Sequence, residues 1–367
     1  MKKSTSLLVT ALALIFCAAV SFAVWRSLAS RDSGRGDLLG ALLRDMPANT
    51  SGVLYVDVAQ LRQSTFTQKL FAWAPKPQTD ADYTRFVEDT GFDYERDLDR
   101  VAFAAAKSGS QSSWFVIADG TFDQKKIAAY LARVGAMQKR GGRDIYSIPT
   151  SLPSPAGNIA SSANSQILLT FLSGSRIAAT NDADLSTYLD QKNSVLDPAS
   201  WRTRFARLAG SPIFVVVRQN GDTASALAAQ TPGGFQSPQL SALLAQLSWL
   251  TLAAQPQTDT LRIVAEGETS SDTVAGQLAD MLNGVVILAQ TGLNSAKTTQ
   301  QLDPRTRAAY LELLKSADIT RLDREDLKAV RVVFEVTQNF LNAAAAPKPT
   351  ALAPAATSEP RKRSAHK

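Results

Sequence analysis

Residues Trp114–Gly120 read W-F-V-I-A-D-G, and residues Arg262–Gly267 read R-I-V-A-E-G. Each is an apolar run closed by alanine, a carboxylate and glycine. Asp119 and Glu266 are either a catalytic carboxylate pair or marks of a fold written twice. What surrounds the two stretches decides between these readings.

Before W-F-V-I-A-D-G stands another β-rich run, V-A-F-A-A-A at 101–106, joined to it by S-G-S-Q-S-S. After it comes a helical pattern with Ile127, Tyr130, Leu131 and Val134 at i, i+3, i+4, i+7. The second stretch is embedded in the same way. L-T-L-A-A at 250–254 precedes it across Q-P-Q-T-D, and a helix bearing Leu278, Met281, Leu282 and Val285 follows. The paired segments match at offsets of 149 for the first strand, 147 for the second and 151 for the helix. A hairpin followed by a helix, repeated with the same polarity, reads as an internal duplication. The expected fold class is α+β: two related repeats, each an antiparallel sheet with helices packed on one face. Asp119 and Glu266 are then expected as turn residues at the sheet-to-helix passage, facing turn amides and the positive end of the next helix. On that reading, Asp119→Asn with Glu266→Gln leaves folding unchanged.

The rest of the chain supplies matching signals. A helix over D-L-L-G-A-L-L-R-D-M ends at Pro47, and V-L-Y-V-D-V at 53–58 is a strand. Helical stretches follow near 60–72 and 80–90. Gly141-Gly142 is a two-residue hairpin loop. Residues 150–164 form a loop, and I-L-L-T-F-L with R-I-A-A-T forms a hairpin. Asn181 is expected to cap a short helix through Leu185 and Leu189. Helices near 201–208 and 238–246 flank the strand I-F-V-V-V at 213–217. Asp303-Pro304 opens a helix, and V-R-V-V-F-E-V at 330–336 is a strand with one wet face.

The ends differ from this middle. M-K-K-S-T-S precedes an apolar run from Leu7 to Trp25, the pattern of an export signal. The run is long enough for a hydrocarbon core of about 30 Å. Ser21-Phe22-Ala23 also offers a small-x-small cleavage site, so both an uncleaved anchor and a released protein fit. The expected location is the bacterial inner membrane, single-pass with the bulk in the periplasm, or the periplasm itself if the chain is cut after Ala23. Phe16 before Cys17 does not suit a lipidation box. The expected organisation is therefore a signal or anchor at 1–25, a linker at 26–36, repeats at 37–195 and 196–342, and an Ala/Pro-rich basic tail at 343–367 that buries no core.

The pI of about 9.4 invites a nucleic-acid reading, which the distribution of charge opposes. Residues 1–36 and 343–367 each carry a net charge of +4, while 37–342 hold 29 basic and 31 acidic residues. The basic character sits in the tails and not on a folded face, so no nucleic-acid partner is expected.

Pro47-Ala48, the strand Val53–Val58 with Asp57, and Asp97-Leu98-Asp99-Arg100-Val101 together resemble the repeat opening of uncharacterised bacterial exported, membrane-anchored proteins with a duplicated α+β unit. The resemblance extends over about two thirds of the chain. It implies the duplicated fold and carries no activity or site residue with it.

The sole cysteine, Cys17, lies in the signal or anchor, and the sole histidine, His366, in the tail. Zinc sites and Ser-His-Asp or Cys-His catalysis therefore lack their ligands and bases in the central region. The S-x-x-K of Ser364–Lys367 is in the tail, and neither G-x-S-x-G nor G-x-x-x-x-G-K occurs. Asp93, Glu95, Asp97 and Asp99 alternate like a calcium loop. Leu98 and Ala104 stand where such a loop needs Gly and Glu, and Arg96 and Arg100 intervene, so a self-paired turn is expected. No catalytic, cofactor or metal residues are assigned. The expectation is a non-enzymatic envelope binding or scaffolding protein, with an envelope protein or cell-wall component as partner and the membrane engaged through the N-terminal helix. The alternative is a periplasmic hydrolase using carboxylate, Ser or Lys groups. Carboxylates of both repeats meeting in one pocket would favour the hydrolase, and a broad apolar or Arg-lined groove between the repeats would favour the binder. The oligomeric state is left open.

Overall fold

The computed structural model describes residues 35–73, 81–108, 111–149, 166–219, 242, 244–296, 298 and 302–345. The apolar run Leu7–Trp25, the loop at 150–164, most of the helix expected at 238–246 and residues 346–367 lie outside the described residues. Among the described residues, no helix is long and apolar enough to cross a membrane.

The fold mixes helices with one large antiparallel sheet. Its twelve strands are β1 (Thr50–Asp57), β2 (Leu98–Ser108), β3 (Gln111–Gly120), β4 (Ala136–Arg140), β5 (Arg143–Pro149), β6 (Gln166–Ser173), β7 (Arg176–Thr180), β8 (Ile213–Arg218), β9 (Leu247–Pro256), β10 (Thr260–Thr269), β11 (Asp318–Arg324) and β12 (Leu327–Thr337). They lie in the order β11-β12-β10-β9-β8-β1-β2-β3-β7-β6-β5-β4. Two separate sheets were expected; the strands of both segments instead form one. The join is the antiparallel pair β1–β8, which runs from Gly52 opposite Val217 to Val56 opposite Ile213. Both partners are largely apolar; β1 is mostly buried and β8 buries Phe214 and Val216, so neither could remain a bare edge without exposing apolar surface.

Alternation along the strands gives the sheet two apolar faces. On the first, Val53, Tyr55, Ala102, Phe115, Ile117, Ala178, Phe214, Val216 and Trp249 share one core. Helices α1 (Arg35–Arg44), α7 (Ser186–Leu189) and α8 (Ala199–Leu208) cover it, through Leu42, Leu43, Tyr188, Trp201, Phe205 and Leu208 among others. Phe115 and Phe214 are wholly buried; a fully buried side chain of this kind contributes about 1.5–3 kcal/mol. The second face packs on α2 (Val58–Gln63), α6 (Gln124–Val134) and α9 (Asp272–Leu293). Helices therefore cover both faces, where one was expected. The long β2–β3 and β9–β10 hairpins alternate apolar side chains toward both sides, so each side needs a lid.

The remaining helices are α3 (Thr65–Trp73), α4 (Ala81–Thr90), α5 (Tyr94–Asp97), α10 (Pro304–Lys315) and α11 (Gln338–Ala345). Several helix starts follow their capping residues. Asp123 accepts from Lys126 N, Ser271 from Val274 N and Asp303 from Thr306 N, the last with proline in the first helical turn. Gly141 and Gly142 have φ of +57° and +78°, the left-handed pair that a two-residue hairpin needs.

Three local expectations differ from the structure. Asn181 caps no helix: α7 starts at Ser186, and Asn181 Oδ1 accepts from the amide of Trp114 on β3 at 2.8 Å. Strand β11 was not anticipated, because Asp318–Arg324 is charged at nearly every second position and carries few β-rich residues. Helices α1 and α11 begin and end inside the expected linker and tail, at Arg35 and Ala345.

Candidate functional site

Asp119 and Glu266 occupy matching places in the sheet, and neither sits at a turn. Asp119 lies on the first face of β3, opposite Arg176 of β7. Arg176 Nε reaches Asp119 Oδ1 at 2.6 Å and its Nη2 reaches Oδ2 at 2.9 Å, a side-on bidentate pair. Glu266 lies on the first face of β10, opposite Arg331 of β12. Arg331 Nε and Nη2 both donate to Glu266 Oε1, at 2.8 and 2.6 Å. The role expected from the sequence, satisfying turn amides before a helix, is corrected: each carboxylate is almost wholly buried, and the charge that compensates it is a guanidinium on the neighbouring strand. With both buried carboxylates paired to arginines, Asp119→Asn with Glu266→Gln is expected to cost stability and not to be silent.

The glycine after each carboxylate serves the opposite face. A Cβ on Gly120 would lie 2.4 Å from the Asp97 carbonyl oxygen, and one on Gly267 would lie 2.9 Å from Leu247 Cδ2. The repeated carboxylate–glycine dipeptide thus encodes a charge on one side of the strand and a close approach on the other.

A third member joins each pair from the covering helix side. Asp45, just past α1, accepts from Arg176 Nη1 at 2.6 Å, and Arg176 Nη1 also donates to the Ala41 carbonyl at 3.3 Å. Hydrogen bonding to Asp119 is the main cause holding the Arg176 pKa above the ordinary guanidinium value. In the other half Arg207 of α8 lies 3.9 Å from Glu266 and pairs with Glu268. Glu268 also binds Arg204, whose guanidinium lies 4.0 Å over the Trp249 ring and whose pKa is lowered by burial.

Each triad borders a recess on the first face. One, of about 520 Å³, is lined by Arg44, Arg100, Arg143 and Arg176 with Asp45 and Asp119. The other, of about 460 Å³, is lined by Arg207, Arg262, Arg324 and Arg331 with Glu266 and Asp318, over a floor that includes Ala253, Val264 and Val333. Among the described residues, no segment after β12 crosses the second recess. After β7 the chain crosses the first face through Leu185, Tyr188 and Val195; after β12 it turns into α11, which packs on α10 through Phe340 and Tyr310.

Asp119 and Glu266 do not meet. Four strands separate β3 from β10, five steps of about 4.8 Å, or about 24 Å. A two-carboxylate hydrolase needs its groups within about 5–10 Å. The arginine-lined recesses lie one in each half, and neither lies between the halves. Residues 93–99, expected as a self-paired turn, instead form the short helix α5 and the start of β2: Asp93 caps α5 through Glu95 N, Arg96 binds Asp97, Asp97 Oδ2 accepts from Asp93 N, and Asp99 pairs with Arg62 outside the segment at 3.6 Å. Among the described residues no cluster of three His, Cys, Asp or Glu could hold a metal.

The arginines of these recesses were missed in the sequence. One signal was available: Arg176 and Arg331 stand directly before the runs I-A-A and V-V-F, a charge in an otherwise apolar strand.

No family model matches the chain, and no curated protein matches it. Solved structures of the treponemal protein TP0453 are similar to it. Crystal form III is 12% identical over 86% of this chain and 98% of that one, with a TM-score of 0.45. Form I is 10% identical over 86% and 96%, with a TM-score of 0.41. Form IV is 11% identical over 82% and 94%, with a TM-score of 0.44.

Proposed function

We propose that the chain is an exported, non-enzymatic binding protein of the bacterial cell envelope, built from two copies of one α+β unit. Strand register supports the duplication. Held at the 147-residue match of β3 with β10, the pairings place Arg100 on Thr251, Asp57 on Val216 and Arg176 on Arg331. The β2 to β9 offset becomes 151, two residues from the value suggested by apolar pattern alone. Helix caps align Asp123 with Ser271 at 148, which brings buried Ile127 and Leu131 onto buried Ala275 and Ala279. The outer acid–arginine pair is common to both halves. The inner pair Asp57–Arg100, at 3.5 Å in the first half, is replaced in the second by Val216 and Thr251, so both charges are absent together.

The binding reading rests on one observation: Asp119 and Glu266 are each held by an arginine and lie about 24 Å apart. A carboxylate so engaged is a poor general base, while guanidinium donors remain along the recess walls. Export is supported by the lysines and apolar run of residues 1–25. In a membrane-fractionation pull-down, the intact chain should enrich the same envelope component reproducibly over an unrelated exported protein. Enriching none overturns the reading, and release of a cleaved product from envelope material would favour a hydrolase instead.

A further inference from the structure

Helix α9 changes character half-way. Its first half packs on the sheet through Ala275, Leu278 and Ala279, and its outward side is polar, with Thr273, Gln277, Asp280 and Asn283 exposed. From Gly284 to Leu293 no residue is buried, yet the sequence is G-V-V-I-L-A-Q-T-G-L. Ile287 and Leu288 are 60% and 66% exposed, the most exposed large apolar side chains among the described residues. Val285, Val286 and Ala289 are half-buried beside them. This half rests on α10, where Gln290 Nε2 donates to the Leu314 carbonyl at 3.0 Å. The water-facing side of a surface helix is normally polar, so an apolar stripe there calls for a cover.

The pattern of the stripe says what fits it. Gly284, Ile287, Leu288 and Thr291 stand at i, i+3, i+4 and i+7 and share the outward side of the helix. That spacing reads the same in both directions. Two copies of α9 laid antiparallel about a two-fold axis between Ile287 and Leu288 set Ile287 of one against Leu288 of the other. Gly284 then meets Thr291, and these smaller residues let the helices close on the two bulky pairs. A Cβ on Gly284 would meet nothing within 4 Å, so the chain's own packing does not require glycine there, where alanine makes a better helix. Charge favours the same occupant. No residue from Met281 to Ala296 is charged. A charge near a two-fold axis would meet its own like; here the nearest one on the stripe, Asp280, falls opposite uncharged Ser295. A helix that lies on an anionic bilayer instead carries Lys or Arg beside its apolar face, and this stretch has neither.

We infer that the C-terminal half of α9 is a self-association surface, through which two copies of the chain pair by antiparallel contact of Gly284, Ile287, Leu288 and Thr291. One helix face is smaller than the roughly 800 Å² per partner of a standard interface, so the dimer is reversible and depends on concentration. Helix α9 packs on the second face of the sheet and the recesses open on the first. The inference stands apart from the binding-protein reading.

The test is cross-linking of the full chain in cells. Two differently tagged copies are co-expressed, each with Cys17→Ala to remove the sole cysteine and Thr291→Cys as the one thiol, and treated with a bis-maleimide. Capture through one tag should bring down the other in a covalent product of twice the chain's mass. Met137→Cys in place of Thr291→Cys, at an exposed site on β4, should give none, which separates pairing from crowding. Leu288→Glu and Ile287→Lys each put two like charges beside the axis, and each should lower the product by about tenfold. Combined, they put opposite charges across the axis and should restore most of it. Both positions are exposed, so the fold is kept. Equal product from Met137→Cys overturns the pairing, as does no product from Thr291→Cys, the result expected if a bilayer or another protein covers this face. Unchanged product in both single variants, or a double variant no better than the singles, overturns it as well.

Discussion

Arg176 and Asp119 show what a charge costs inside this sheet. Their side chains are only 16% and 11% exposed, so removing one leaves the other with little water. Breaking such a pair costs about 3–5 kcal/mol when burial is complete, and replacing both members with apolar groups of similar volume is often neutral. Arg176→Leu alone should therefore destabilise the fold by a few kcal/mol, and Asp119→Leu added to it should restore most of the loss. Urea unfolding of both single variants and the double variant measures this coupling; additive losses would show that the two charges do not compensate one another. In the sequence, Asp119 was legible as a marked position because it closes an apolar run beside a glycine. Its partner was not. They are 57 positions apart in the chain, and only the pairing of β3 with β7 makes them neighbours.

Among elements, those with strong local chemistry were readable. The β2–β3 hairpin, the Gly141-Gly142 turn and the Asp303-Pro304 helix start all follow from residues within a few positions. Strand β11 was not readable, because its charged sequence is stabilised by pairing with β12 and not by its own pattern. Asn181 was misassigned for a related reason. Its side chain can satisfy any nearby amide, and the nearest open one belongs to Trp114 across the sheet. Asn181→Ala should leave α7 in place and speed hydrogen exchange at the Trp114 amide. If exchange slows or α7 melts instead, the assignment of Asn181 to the β3 end is wrong.

Across the molecule, the sequence pointed to two hairpin-and-helix segments and was silent on how they meet. The answer lies in β1 and β8, whose runs V-L-Y-V and I-F-V-V-V gave no sign of a partner. Tyr55 and Phe214 stack across this seam with ring centroids 4.9 Å apart, in the same core as Phe115 and Trp201. The seam should make the sheet unfold as one unit. Phe214→Ala should lower its stability by about 3–5 kcal/mol while the calorimetric trace keeps a single transition; two separated transitions would show that the halves melt independently. The seam also has a consequence for the chain's solubility. The outermost strands, β4 and β11, carry Lys139, Arg140, Arg321 and Asp323, charges that discourage another strand from adding on. Strands β1 and β8 have almost no such defence, and a half cut from the chain would present one of them bare. The surface that best fits a bare β1 is an antiparallel strand of similar sequence, so a lone half would find its match in another copy of itself. The full chain meets that need within one polypeptide and in doing so holds its own dimer interface closed.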